Sequence, residues 1–184
     1  MIARGMVNVL VCTDNSVKLH AVVKYFKDNF TGYEFQIDTI NCESLQLPAQ
    51  LVNCGLPCTQ ECLSYAKTSG SKKYQVIIAI EYDLTENLDS DNCHVLVEYD
   101  HRIAGCVVSG VPIPEIFGKR LRKCKMIQFN EEIKGYDTTI GELIQQENPE
   151  IDANNWTITT CRSGRVDIIC NALDGAFIEL GLLK

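Results

Sequence analysis

The chain has 184 residues, 46% of them hydrophobic and 22% charged, a balance that belongs to a folded domain rather than a disordered segment. Its formal net charge of −7 argues against general nucleic-acid binding and against adhesion to anionic membranes. No run reaches the roughly 18 apolar residues of a membrane span, and the stretch before the first strand is too short for a signal peptide. The expectation is therefore one domain over residues 1–184, in the cytoplasm and without membrane insertion.

Residues 6–11 are a continuous apolar run and read as a buried strand. Residues 17–30 read as a helix, with Val17, Val22, Val23, Phe26 and Phe30 on its apolar stripe. Residues 35–40 alternate and predict a second strand, whereas 42–56, with Pro48 and Gly55, read as irregular. A helix is expected over 59–67, with Thr59 as its N-cap, and a central β-branched strand over 76–80. A turn at 87–92 leads into strands at 93–98 and 103–108, joined through Tyr99, Asp100 and His101 as a hairpin turn. Pro112 and Pro114 open a helix running to about 123, and a shorter helix over 139–146 stops before Pro149. The end of the chain reads as a strand at 156–160, a turn at 162–165 and a helix over 167–180 with Asp167 in its first turn. The order β-α-β-α-β-β-β-α-α-β-α predicts an α/β fold, a mixed sheet flanked by helices.

Ten cysteines are scattered through these elements with no CxxC pair. Cys54, Cys58 and Cys62 are spaced four apart, and the last two share a helix face, but no histidine lies nearby in sequence. Reduced core thiols are expected rather than a zinc site. Lys119, Arg120, Arg122, Lys123 and Lys125 crowd one segment, which reads as the solvated face of a helix.

The first strand-to-helix turn carries the strongest functional signal. An apolar run ends in Thr13, Asp14, Asn15 and Ser16, and Lys18 follows one turn into the helix. Free N–H groups at a helix start, with a lysine beside them, cradle phosphate. The alternative is that Thr13, Asp14 or Ser16 simply caps the helix. Other strand ends carry Glu43, Ser44 and Glu81, and Arg165 precedes the last helix. Two carboxylates near a lysine and an arginine suit a magnesium-triphosphate site, since carboxylates take the hard cation and the cations take phosphate. Tyr82, beside Glu81, is the candidate for stacking on a base, and Trp156, the single tryptophan, is expected to pack under the last strand.

These segments resemble the motifs of the inosine/xanthosine triphosphatase family. Thr13, Asn15 and Lys18 match that family's T-x-N-P-x-K phosphate turn, with Ser16 in place of the proline. Cys42-Glu43-Ser44 is similar to its V-E-S, and Ile78-Ala79-Ile80-Glu81 to its V-A-I-E; the two glutamates there hold magnesium. Ser109 to Pro114 and Arg165 follow in the family's order. The resemblance implies an inosine-triphosphatase-like architecture, a homodimer, nucleotide-binding by the turn at Thr13, Asn15 and Lys18, catalysis by Lys18, Glu81 and Arg165, and Mg2+ on Glu43 and Glu81; Asp14 and Ser16, within the same turn, and Tyr82, by its position beside Glu81, complete the nucleotide-binding set.

Two segments depart from the enzymes. The family's E-E-T-x-x-G-A-x-x-R is replaced by Asn53 to Cys62 without paired acids, and its lysine/glycine loop by Ile151 to Trp156. Thr138 to Ile144, Asn155-Trp156 and Ser163-Gly164-Arg165 instead resemble the C-terminal domain of the proline-rich coiled-coil protein 1 family, a branch not known for hydrolysis. That likeness implies a regulatory module, with the regulatory subunit of cyclic-AMP-dependent protein kinase as a partner and an association with the Golgi or ER. The expectation is a nucleotide-binding or protein-binding module with weak or absent hydrolysis. The alternative is a magnesium-dependent phosphatase for inosine and xanthosine triphosphates.

Overall fold

A computed structural model describes residues 5–69, 73–158 and 164–183. In chain order the elements are β1 (Met6–Cys12), α1 (Ser16–Asn29), β2 (Glu34–Ile40), a 3-10 turn (Glu43–Leu45), β3 (Gln50–Val52), α2 (Gly55–Ser69) and β4 (Val76–Leu84). They continue with β5 (Ser90–Tyr99), β6 (Arg102–Pro112), α3 (Glu115–Leu121), β7 (Met126–Gln128), β8 (Lys134–Tyr136), α4 (Ile140–Glu147) and α5 (Arg165–Glu179). The eight strands form one mixed sheet flanked by helices, the α/β class expected from the sequence.

β4 organises the sheet. β5 runs antiparallel along its whole length, and β6 pairs with β5. On the other edge two strands share β4. β1 runs parallel to its first half, with Val9 to Cys12 opposite Val76 to Ala79. β3 runs parallel to its end, with Leu51 and Val52 opposite Asp83 and Leu84. Ile80, Glu81 and Tyr82 lie between and have no strand beside them on that edge. β2 extends the β1 arm, and β8 and β7 extend the β3 arm, so the sheet forks at Ile80.

Alternation along the strands sends side chains to two faces. Val7, Val9, Val11, Val76, Ile78, Ile80, Val95 and Val97 meet α1, α4 and α5 in the main core. Leu10, Cys12, Ala79 and Leu96 point the other way, onto Cys62, Leu63 and Ala66 of α2. An aromatic group ties α1, β2 and α5 together: Phe26 lies 4.6 Å from Phe35 and 5.6 Å from Phe177, centre to centre. Each such ring contributes roughly 1.5–3 kcal/mol through burial.

Several expectations are corrected. The stretch 42–56 is not wholly irregular, since it holds the 3-10 turn, β3 and the start of α2. α2 begins at Gly55, and Thr59 is not its cap. The hydroxyl of Thr59 is buried inside the helix and donates to Gly55 O at 2.5 Å. The cap is remote: Asp83 accepts from Gly55 N at 2.7 Å. Pro112 ends β6, and the following helix starts only after Pro114 and stops at Leu121. No strand exists at 156–158, where Trp156 sits in a turn and Thr157 and Ile158 are helical, while 159–160 lie outside the described residues. Trp156 is nonetheless buried, packed in the main core. Of the expected turn at 162–165, residues 162 and 163 are outside the described residues, and Arg165 already belongs to α5.

Local signals were accurate where the chain decides locally. Asp100 and His101 both take positive φ, the requirement of a two-residue primed hairpin turn. Part of the basic run is paired, with Lys119 on Glu115 and Arg120 on Glu147, while Arg122 donates to Asn87 O.

Thr139 and Glu142 form a reciprocal capping box at the start of α4. The next position is tightly constrained: a Cβ on Gly141 would lie 1.9 Å from Ala153 O and 2.9 Å from the Trp156 ring. Gly141→Ala is therefore expected to displace the turn at 153–156 and to lower stability by about 1–3 kcal/mol in urea unfolding. An unchanged midpoint would show that this turn does not pack on α4.

Candidate functional site

β1 delivers the chain to the fork and α1 begins there. Thr13 Oγ1 accepts from Asn15 N at 2.9 Å. Asn15 Oδ1 accepts from Val17 N at 2.9 Å and Lys18 N at 3.1 Å, so the cap is Asn15 and not Thr13, Asp14 or Ser16. The Asn15 amide donates in turn to Asn154 Oδ1 at 2.8 Å, which fastens the turn at 153–156 to the start of α1. Ser16 is exposed at the first helical position.

Lys18 points from α1 into the fork. Its ammonium donates to Ile80 O at 2.6 Å and to Glu81 Oε2 at 2.9 Å. The carbonyl at the sheet's division is thus satisfied by a side chain rather than a strand. Burial opposes the lysine charge, but the Glu81 carboxylate outweighs it and holds the ammonium above its ordinary range. The second oxygen, Glu81 Oε1, faces the Cys62 thiol at 3.5 Å.

Arg165, the first residue of α5, approaches from the opposite side. Its Nη2 donates to Asp91 Oδ2 at 2.8 Å, and its guanidinium covers the Tyr82 ring at 4.3 Å. Tyr82 is buried beneath that cation, which occupies the ring face expected to stack on a base. Trp156 lies 5.9 Å from the same guanidinium. Lys18 and Arg165 are close enough for the arginine to oppose the lysine's charge. Asp83, which caps α2, also meets His94 Nε2 at 2.9 Å.

A cavity of about 580 Å3 opens at the carboxyl end of β1 and the amino end of β3, beside the unpaired stretch of β4. Thr13, Asp14, Asn15, Lys18, Glu43, Glu81, Tyr82 and Arg165 all line it; of the strand-end and turn residues singled out in the sequence, Ser16 and Ser44 do not. Asp14 and Glu43 are exposed there, with Asn41 bridging their backbone turns through Asp14 Oδ2 and Glu43 N. Sequence reasoning missed Asn154, Asp91, Gln50 and Glu142. Asp91 is buried behind Arg165, and no local motif marks it.

Thiols form the inner wall. Cys12, Cys42 and Cys58 line the cavity, and Cys62 lies behind them. Hydrogen bonds from Cys12 and then Cys62 draw the Cys42 thiol well below its ordinary range, with help from the Lys18 charge. The Cys12 and Cys62 thiols are pushed far up, first by donating to Cys42 and then by burial. The described cysteines are all free.

No protein-family model matches the chain, and no curated protein matches its sequence. In structure it is similar to protein VC0702 from Vibrio cholerae, with a TM-score of 0.70 over 95% of each chain at 16% identity. That likeness establishes the fold. Among the described residues no helix is long and apolar enough to cross a membrane.

Asp91 gives the site a pH signature. Burial pushes its carboxyl up to about 6, against the opposing pull of Arg165. A carboxyl raised in the native state binds its proton more readily than in the unfolded chain, so its contribution favours folding at low pH. That contribution is lost as pH rises through about 6, by up to about 3 kcal/mol between the unfolded and folded values. The difference in unfolding free energy between wild type and Asp91→Asn should therefore shift toward the variant by about 2–3 kcal/mol from pH about 4 to about 7. A difference independent of pH would contradict a charged, buried Asp91.

Proposed function

We propose that the chain is a binding module on an inosine-triphosphatase-like fold that takes the phosphates of a purine nucleoside triphosphate between Lys18 and Arg165, with weak or no hydrolysis. The observation that carries this reading is the convergence of two cations, from α1 and α5, on one cavity at the point where the sheet divides. Ligands of open α/β folds bind where strand order switches, beyond the carboxyl ends of the strands. Like charges held near one another favour an anion between them. The purine is supplied by the motif resemblance, and the cavity supports the phosphate end.

The state of Glu81 supports the reading of weak hydrolysis. One oxygen is held by Lys18, and the other faces a thiol. No group of three carboxylates or imidazoles gathers among the described residues. A water positioned for attack lacks an evident base beside these partners.

A second reading has its own support, because Glu43 and Glu81 line the same cavity. Magnesium is commonly held by one or two carboxylates together with substrate phosphates, so this pair fits it when a triphosphate is present. Magnesium there would neutralise phosphate charge, while Lys18 and Arg165 steady the phosphate oxygens.

The resemblance also carries a homodimer and a protein partner such as a kinase regulatory subunit. β6 supports a contact surface: it pairs only with β5 among the described strands and exposes Ile103 and Val107.

The test is release of phosphate and pyrophosphate from inosine, xanthosine and guanosine triphosphates with magnesium, run beside ligand-induced thermal shifts. A shift of several degrees with inosine triphosphate, and turnover no higher than in Glu81→Gln, is expected. Turnover lost in Glu81→Gln at unchanged melting temperature would establish the phosphatase instead. No shift and no turnover would remove the nucleotide from the proposal.

A further inference from the structure

The inner wall of the cavity holds donors that the phosphate reading does not use. Cys58 and Cys62 are one turn apart on α2, so their thiols share a helix face. That face is turned to β4, where the sheet's division leaves Glu81 uncovered. The two sulfurs and a Glu81 oxygen all lie within 4.8 Å of one another. We infer that Cys58, Cys62 and Glu81 form a binding site for a thiophilic divalent cation, zinc in particular.

The dimensions agree with this assignment. Zinc bonds of about 2.3 Å to sulfur and about 2.1 Å to oxygen place tetrahedral sulfur and oxygen ligands about 3.6 Å apart. Cys62 Sγ and Glu81 Oε1 already stand 3.5 Å apart. The remaining spacings are no more than 4.8 Å and would contract on binding. The carboxylate is divided between two tasks. Lys18 grips Oε2 and leaves Oε1 facing the sulfurs, the arrangement in which an outer partner orients a metal ligand.

The donor chemistry selects the ion. Two thiolates exclude magnesium and calcium, which take oxygen, and favour zinc among common divalent ions. Access is available because Cys58 and Glu81 both line the cavity. Cys42 also lines it and neighbours Cys62, so a further sulfur or solvent completes the coordination. Binding replaces the two thiol protons, one from each cysteine, with the metal, and both protons leave to solvent. The site is independent of nucleotide turnover and is tested without it.

The experiment is zinc titration of the reduced, metal-free chain against a chromogenic chelator, with X-ray absorption fine structure on the zinc-loaded wild type. One equivalent of zinc is expected, with about two sulfurs at about 2.3 Å in the first shell. Cys58→Ser, Cys62→Ser and Glu81→Gln should each weaken binding at least tenfold, whereas Cys124→Ser should leave it unchanged. Absorption on the wild type requires no variant, so a cysteine variant that fails to fold does not spare the inference. Zinc not retained, a shell of oxygen and nitrogen alone, or affinity indifferent to Cys58, Cys62 and Glu81 would each overturn it.

Discussion

The structure depends on how one edge of β4 is shared. β1 leaves it after Ala79 and β3 joins it at Asp83. Three residues of a central strand are left without a backbone partner on that side, which a folded chain tolerates only if something else satisfies them. Lys18 does so for Ile80 O, and it recruits Glu81 at the same time. The cavity, the convergence of cations and the thiol wall all occupy the space that this division opens.

Rigidity around the division comes from contacts distant in sequence. Asn15 caps α1 and holds Asn154, so the turn at 153–156 is fixed to the helix that carries Lys18. The same turn is pressed against Gly141 on α4. Asp83 caps α2 from the end of β4, which orients the helix bearing Cys58 and Cys62. Asp91 anchors Arg165 from beneath the cavity, and the buried ion pair leaves the guanidinium over the Tyr82 ring. A buried carboxylate paired in this way restricts the arginine to one position more than it stabilises the fold.

What the sequence disclosed follows the range of the interactions. The apolar run of β1, the stripe of α1, the hairpin at Asp100 and His101 and the short helix beginning at about Thr139 are decided within a few residues, and each was legible. β3, β7 and β8 span three residues each and exist only because neighbouring strands pair with them. α2 was placed four residues late because its first N–H is capped by Asp83, 28 residues onward in the chain. Trp156 read as strand from its β-branched surroundings, yet burial against α4 holds it in a turn. The eight cavity-lining candidates come together as the motif order implied, and most of them also make polar or packing contacts that no motif announces. Asn15 is spent on capping, and Tyr82 is covered by Arg165. The four-residue spacing of Cys58 and Cys62 was visible, whereas their meeting with Glu81 required the fold.

The central claim is that an anion sits where Lys18 and Arg165 converge. Calorimetric titration of inosine triphosphate into wild type and Lys18→Met, with magnesium present and melting temperatures matched, tests it most directly. Binding weakened at least tenfold in the variant is the expected result. Equal affinity in the two proteins would contradict the placement of phosphate at the division of the sheet.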